Sequence, residues 1–189
     1  MSFCLILLAA GDSKRFGSKV PKPFAKVGGK SLLEYSLIKF SKIKQIKKTI
    51  VVINKKHKKF ANKIKYFDYR KIIGGKTRQE STFKALKYIK KNKLKFNKVL
   101  IHDSARPNFS LNLIKRIIKA SKHNSVIPKI PIHDALKETI NKETVFHLSR
   151  ENYFSTQTPQ LFNFKEIFSH HDKKNYLYKD DDLSLFQSL

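Results

Sequence analysis

Phe3–Ala9 (FCLILLA) is an unbroken apolar run that stops at Ala10-Gly11. A strand with one solvated face alternates polar and apolar residues. This one does not, so it is expected to be buried on both faces, as in a parallel sheet covered by helices. It is far from the roughly 18 apolar residues of a membrane span. It lacks the basic leader and small-residue cleavage site of a signal peptide. Cys4, the only cysteine, lies inside it. No intrachain disulfide is therefore possible, and Cys4 reads as core rather than as a reactive thiol. A cytoplasmic protein is the expectation.

The same pattern recurs along the chain. Thr49–Ile53 (TIVVI), Arg70–Ile73, Lys98–His102 (KVLIH) and Ser125–Ile130 read as further strands. Helical spacing falls between them: Leu33, Leu37 and Phe40 in Ser31–Ser41, a short basic helix over Lys56–Ile64, and Phe83 and Leu86 in a helix reaching about Lys91. Thr77 and Glu80 form a capping-box signature for that helix, and Ser110 is placed to cap another over Leu111–Ser121. This alternation predicts an α/β fold: a three-layer, Rossmann-like arrangement with a mainly parallel sheet. Leu136–Ile140 and Thr144–Ser149, joined by Asn141-Lys142-Glu143, read as a protruding β-hairpin arm. Asn163 with Glu166 opens one more helix, and Asp180–Leu189 begins a last one. There is no internal repeat or low-complexity linker, so residues 1–189 are expected to form one domain, with 136–149 as its arm.

In such sheets ligands bind beyond the carboxyl ends of the strands. The Gly11 loop, the Gly74-Gly75 turn and Asp103 all fall at such ends and are expected to meet in one crevice. The first loop carries Lys14, Arg15, Lys19 and Lys22. It is not a P-loop, because the glycine and lysine spacing differs, and Ser13 stands where a dinucleotide fingerprint needs its second glycine. A glycine turn beside cations still suits a polyphosphate, since backbone N–H groups approach closely and the cations offset its charge. A solvated basic loop would carry the same residues. Lys22 argues for the phosphate, because Pro21 and Pro23 flank it and push Val20 and Lys22 towards extended geometry.

L-A-A-G-x-x-x-R-x-G followed by P-K resembles the signature of nucleotidyltransferases, and the Ser13 variant is also similar to enzymes that nucleotidylate the molybdenum cofactor. GGKTRQES (Gly74–Ser81), HDSARP (His102–Pro107), IPIHDALK (Ile130–Lys137) and QTPQLF (Gln157–Phe162) follow in order. Together the five motifs resemble the 2-C-methyl-D-erythritol 4-phosphate cytidylyltransferases of the non-mevalonate isoprenoid pathway. That resemblance implies transfer of CMP from CTP to the sugar-alcohol phosphate, with release of pyrophosphate. It implies that Arg15 and Lys22 bind the CTP phosphates and stabilise charge at the α-phosphorus. Ala9, Ala10, Gly11, Gly75, Ser81 and Arg106 would form the nucleotide site, and Asp103 would sit by Mg²⁺. Asp134, Arg150 and Thr158 would hold the substrate, with Arg150 acting catalytically across a homodimer formed by the arm. Such chemistry needs positioning and fixed positive charge rather than a strong base, because the nucleophile is already a phosphate oxygen.

Four positions depart from the family pattern: Pro23 replaces Gln, Ser104 replaces Ala, Asp180 replaces Thr, and Ala135 replaces a Thr that is a substrate-phosphate ligand in the family. Ala135 keeps open a cytidylyltransferase for another polyol phosphate, such as ribitol 5-phosphate. The family continues to a strand carrying Asn-x-Lys, so a chain ending at Leu189 is expected to be a fragment of a longer or fused protein. The net charge of +27, from 41 Lys and Arg against 14 Asp and Glu, also fits a non-catalytic nucleic-acid-binding domain. The lysines are spread over every segment rather than gathered on one, and that reading leaves the spacing of Gly11, Lys22 and Asp103 without a purpose. Of the six arginines, Arg15, Arg78 and Arg106 lie in the motifs and Arg150 is a fourth that the resemblance assigns to the site, where a planar fork suits phosphate.

Overall fold

Every residue of the first strand, β1 (Phe3–Ala9), is buried, and its alternating side chains enter two different cores. The computed structural model describes residues 2–13, 16–65, 67–140, 143–172 and 182–186. After β1 come a one-turn 3-10 helix (Lys22–Phe24), a hairpin of β2 (Lys26–Val27) and β3 (Lys30–Ser31), α1 (Leu32–Ser41), β4 (Ile46–Ile53) and the short α2 (Lys58–Ala61). Next are β5 (Arg70–Ile73), α3 (Arg78–Lys91), β6 (Lys98–Asp103), α4 (Leu111–Lys119), β7 (Ser125–Val126) and β8 (Lys129–Pro131). The arm is β9 (Leu136–Ile140) and β10 (Glu143–Leu148), followed by β11 (Phe154–Thr156), β12 (Gln160–Asn163) and α5 (Phe164–Asp172).

The main sheet has the order β5-β4-β1-β6-β12-β7. Its first four strands are parallel, and β12 runs antiparallel between β6 and β7. Leu5 and Leu7 of β1 pack with Leu33, Leu37 and Phe40 of α1 and Ile114 and Ile117 of α4. Ile6 and Leu8 face the other way, onto Phe83, Leu86 and Ile89 of α3 and Ile167 of α5. The sheet is thus covered on both faces, which is why its central strands read as continuous apolar runs.

Four α-helices begin on side-chain caps; on α5, Asn163 Oδ1 accepts from Lys165 N at 2.9 Å and from Glu166 N at 3.3 Å. Ser31 and Glu34 form a full capping box on α1, and Ser110 Oγ accepts from Leu113 N at 3.1 Å on α4. On α3, Thr77 Oγ1 accepts from Glu80 N, but Glu80 Oε2 accepts from Lys76 N at 2.7 Å rather than from the cap residue.

Several sequence expectations are corrected. The Ser125–Ile130 strand is two strands, because Pro128 has no N–H to continue a ladder: β7 ends the main sheet, and β8 pairs with β11 instead. The expected Lys56–Ile64 helix is a 3-10 turn (Lys55–His57) leading into four-residue α2. Leu183–Phe186 is a 3-10 turn preceded by Asp182 in a bend; residues 180–181 and 187–189 of the expected last helix, and Asn141-Lys142 of the arm, lie outside the described residues. Among the described residues no helix is long and apolar enough to cross a membrane.

Candidate active site

The carboxyl ends of β5, β4, β1 and β6 open onto one cleft of about 820 Å³. Its lining brings together Ala10, Gly11, Lys22, Gly75, Ser81, Asp103 and Arg106, which the sequence places in three separate motifs. Ala9 closes β1 just beneath it and is buried. Arg15 lies outside the described residues.

Ser13 ties the first motif together. Its backbone is left-handed, at φ 54°, and its hydroxyl accepts from Lys22 N at 2.9 Å. Asn54, just past β4, braces the same loop by donating to Asp12 Oδ1 at 2.7 Å. Lys22 itself is not extended. It opens the 3-10 turn, in which Phe24 N donates to Pro21 O at 2.8 Å, and Pro21 is the extended residue. Burial of Phe24, which stacks on Phe60 at 5.7 Å, holds that turn against the preference of a pre-proline residue. The result still presents an exposed ammonium on a stiffened segment.

The Gly74-Gly75 turn forms the opposite wall. Ser81 Oγ accepts from Gly75 N at 3.1 Å and donates to Thr77 O at 2.9 Å. A Cβ on Gly74 would stand 2.7 Å from Ala10 Cβ, and one on Gly75 would collide with the Glu80 side chain. Both glycines are therefore required by close approach.

Asp103, the last residue of β6, forms the floor. Its Oδ1 meets Arg78 Nε at 3.2 Å and its Oδ2 meets Arg106 Nε at 3.3 Å. Its backbone N–H donates to Thr158 Oγ1 at 3.3 Å, and that hydroxyl lies 2.9 Å from His102 Nδ1. Thr158 is thus buried beneath Asp103. Burial holds the His102 imidazole down from its ordinary 6.5 to about 3, so the ring paired with the threonine hydroxyl is neutral. Arg106 Nη1 also donates to Gln157 Oε1 at 2.7 Å, joining HDSARP to QTPQLF. Arg78 reaches further, to Asp182 Oδ2 at 2.5 Å. Burial works against both charges, yet the pairing with Asp103 and Asp182 holds the Arg78 guanidinium above its ordinary value, and Arg78 holds the buried Asp182 carboxyl below its own.

Arg150 and Asp134 are not in this cleft. Arg150 sits on an exposed turn after the arm, with Nη1 donating to His133 O at 2.6 Å, and Asp134 is exposed beside it. Sequence reasoning missed Ser13 as a brace, Asn54, and Asp182. Asn54 could have been found as the first polar residue past a buried strand's carboxyl end. The Arg78–Asp182 pair spans 104 residues and has no local signal.

Asp103 is the candidate metal ligand. Among the described residues no three His, Cys, Asp or Glu side chains gather into a metal cage. The lone carboxylate, 27% exposed, suits Mg²⁺ only as one ligand beside phosphate and water oxygens. Each of its oxygens takes one guanidinium and keeps a second lone pair, so the residues fit that mode.

Residues 3–189 match the family model "IspD: 2-C-methyl-D-erythritol 4-phosphate cytidylyltransferase". The bifunctional enzyme IspD/IspF of Pelagibacter ubique is 45% identical, over 96% of this chain and 48% of its own length. A 2-C-methyl-D-erythritol 4-phosphate cytidylyltransferase of Wigglesworthia glossinidia brevipalpis is 36% identical, over 87% of this chain and 72% of its own. The crystal structure of 4-diphosphocytidyl-2C-methyl-D-erythritol synthase from Anaerococcus prevotii superposes with a TM-score of 0.83 at 30% identity, covering 98% of this chain and 81% of that one. The bifunctional IspDF of Campylobacter jejuni gives 0.81 at 31% identity, with only 46% of its chain covered. This chain thus spans about half the length of the bifunctional relatives it matches. A family match over nearly its whole length, on the same fold and with the five motifs in order, makes this chain a member of the 2-C-methyl-D-erythritol 4-phosphate cytidylyltransferase family of nucleotidyltransferases.

Proposed function

We propose that the cleft transfers CMP from CTP to 2-C-methyl-D-erythritol 4-phosphate. A phosphate oxygen of the acceptor attacks the α-phosphorus. The new P–O–P bond forms as the α–β bridge breaks, and the electron pair leaves on pyrophosphate. The observation that carries this reading is the convergence of the Gly11–Ser13 loop, Lys22, the Gly74-Gly75 turn and Asp103 in one space of about 820 Å³. The small-residue wall at Gly75 and Ser81 suits a pyrimidine. The loop at Ala10 and Gly11, with Arg15 and Lys22, suits the triphosphate, and Arg106 stands nearby. Both reactants are anions, so cations held in place lower the barrier by offsetting charge as they meet. Mg²⁺ held at Asp103 would supply further charge neutralisation on the phosphates.

The acceptor site is completed across a homodimer in this reading. The arm leaves Phe146 57% exposed and Ile140 53% exposed, and Arg150 lies beyond its own cleft. A second copy covering the arm would bury both side chains and receive Arg150, with Asp134 beside it, near its acceptor phosphate, while Thr158 stays beneath Asp103 of its own cleft. The protein would act in the cytoplasm. Ala135 supports one second reading, a different polyol phosphate such as ribitol 5-phosphate. The test is pyrophosphate release from CTP and Mg²⁺ with each acceptor. Release with methylerythritol phosphate is expected; its absence from folded protein, or a preference for ribitol phosphate, would overturn the first reading.

A further inference from the structure

Asp103 has two guanidinium neighbours, an unfavourable setting for a residue that must attract a dication. Arg78 and Arg106 together would cancel its charge and more. Arg78, however, is shared. Its Nε serves Asp103 and its Nη1 serves Asp182, which is fully buried. The second oxygen of Asp182 meets His171 Nε2 at 3.1 Å, and the His171 ring stacks on Phe83 of α3 at 5.7 Å. Asp182 is thereby fixed on two sides, although it comes from the far end of the chain.

We propose that Asp182 is a positioning and charge-setting residue: by engaging Arg78 from behind, it offsets one of the two guanidinium charges at Asp103, so that the floor of the cleft is neutral rather than positive and can receive Mg²⁺–CTP. With Arg106 counted, the four groups Asp103, Arg78, Asp182 and Arg106 sum to zero. With Asp182 neutral, Arg78 belongs wholly to Asp103 and the local charge rises to plus one. With both Arg78 and Asp182 neutral, it returns to zero. The proposal rests on the reading of the cleft as a CTP site with Asp103 at the metal.

The experiment is calorimetric titration of CTP into the protein without acceptor, with excess Mg²⁺ and with chelator. The ratio of the two affinities measures how strongly the divalent ion aids binding. Loss of one unit charge, a single guanidinium away from Asp103, should lower that ratio by about tenfold in Asp182→Asn. The Arg78→Gln/Asp182→Asn double variant should recover to within about threefold of wild type, because the same charge is restored. A merely structural role would leave the double variant as impaired as the single one. The double variant also removes the buried ion pair as a unit, so it keeps the test alive if Asp182→Asn alone unfolds on heating. A wild-type ratio in folded Asp182→Asn, or a double variant still tenfold down, would overturn the proposal. If wild type binds no CTP in either buffer, the reading of the cleft itself fails, and the inference with it.

Discussion

Gly74→Ala tests whether the two walls of the cleft are as tightly joined as the geometry requires. The added methyl would stand 2.7 Å from both Ala10 Cβ and Ser81 Oγ, and 3.1 Å from Val52 Cγ1. Carbon atoms in comfortable contact are about 3.5–4.0 Å apart, so the gap must open by roughly 1 Å. None of the three neighbours is the far end of a long side chain. Ala10 continues β1, and β5 is tied to β1 through β4, with Gly74 N donating to Ile53 O at 2.9 Å. Overpacking of this kind costs about 1–3 kcal/mol. Displacing Ser81 Oγ from Gly75 N adds about 0.5–1.5 kcal/mol. For a chain of this size each kcal/mol lowers the melting temperature by about 2–4 °C, so a fall of roughly 3–18 °C is expected. CTP affinity should fall too, because the same shift moves Ala10 and Ser81. Gly11→Ala is the control, since a Cβ there meets nothing within 4 Å. It should leave the melt unchanged and still weaken CTP binding, if that space belongs to the nucleotide. An unaltered melting curve for Gly74→Ala, or a destabilised Gly11→Ala, would refute the reasoning.

Arg15→Lys should lower kcat by about 10²–10³, because an ammonium cannot replace a fork at a developing oxyanion; full turnover would remove Arg15 from the mechanism. His102 is neutral when folded, at about 3, and titrates at its ordinary 6.5 when unfolded. The unfolded chain therefore binds the extra proton between those values. The stability His102 contributes is complete above pH 6.5 and declines as pH falls towards about 3, by up to about 1.4 kcal/mol per pH unit. Urea titrations of metal-free protein across that range should show the slope, and His102→Asn should reduce it. Lys39 Nζ donates to Pro107 O and Phe109 O, both at 2.8 Å, anchoring the loop after Arg106 to α1. Lys39→Met should cost about 1–3 kcal/mol, read as a lower urea midpoint.

Much of this fold is legible locally. β1 and β5 match their expected bounds, and α1, α3 and α4 begin within a residue of theirs, because continuous apolar runs and Ser or Thr caps are short-range signals. The strands the sequence hid are short: β2 and β3 are a hairpin of two-residue strands inside the first loop, and β11 and β12 are set by distant partners. β12 is four residues between Pro159 and α5, and only its antiparallel registry with β6 makes it a strand. Ser125–Ile130 looked continuous because apolarity outvoted Pro128. The site shows the same division. Residues at strand ends were predictable, since a parallel sheet aligns those ends. The links from Ser13 to Lys22, and from Arg78 to Asp182, were not, because they depend on how loops fold back.

The overall charge of +27 is a poor guide to what the cleft selects. A diffuse field draws any polyanion and fades with salt. Inside the cleft, the acids hold the framework in place. Asp12 takes Asn54, Glu80 takes the Lys76 backbone, and Asp103 takes two guanidinium groups. Each carboxylate fixes a loop or an arginine in one orientation at the mouth of a strand. Ser104, the small departure from the family's HDAARP pattern, works in the same sense: its hydroxyl donates to Leu8 O at 2.7 Å and its carbonyl accepts from Ser36 Oγ at 3.2 Å, fastening the turn after Asp103 to β1 and α1. Three of the fourteen acids line the cleft, beside seven basic residues, so the signal is the placement of each acid rather than their number. A surface evolved only to hold nucleic acid has no need of carboxylates at its centre. A site that must place a divalent ion and two phosphates within bonding range does.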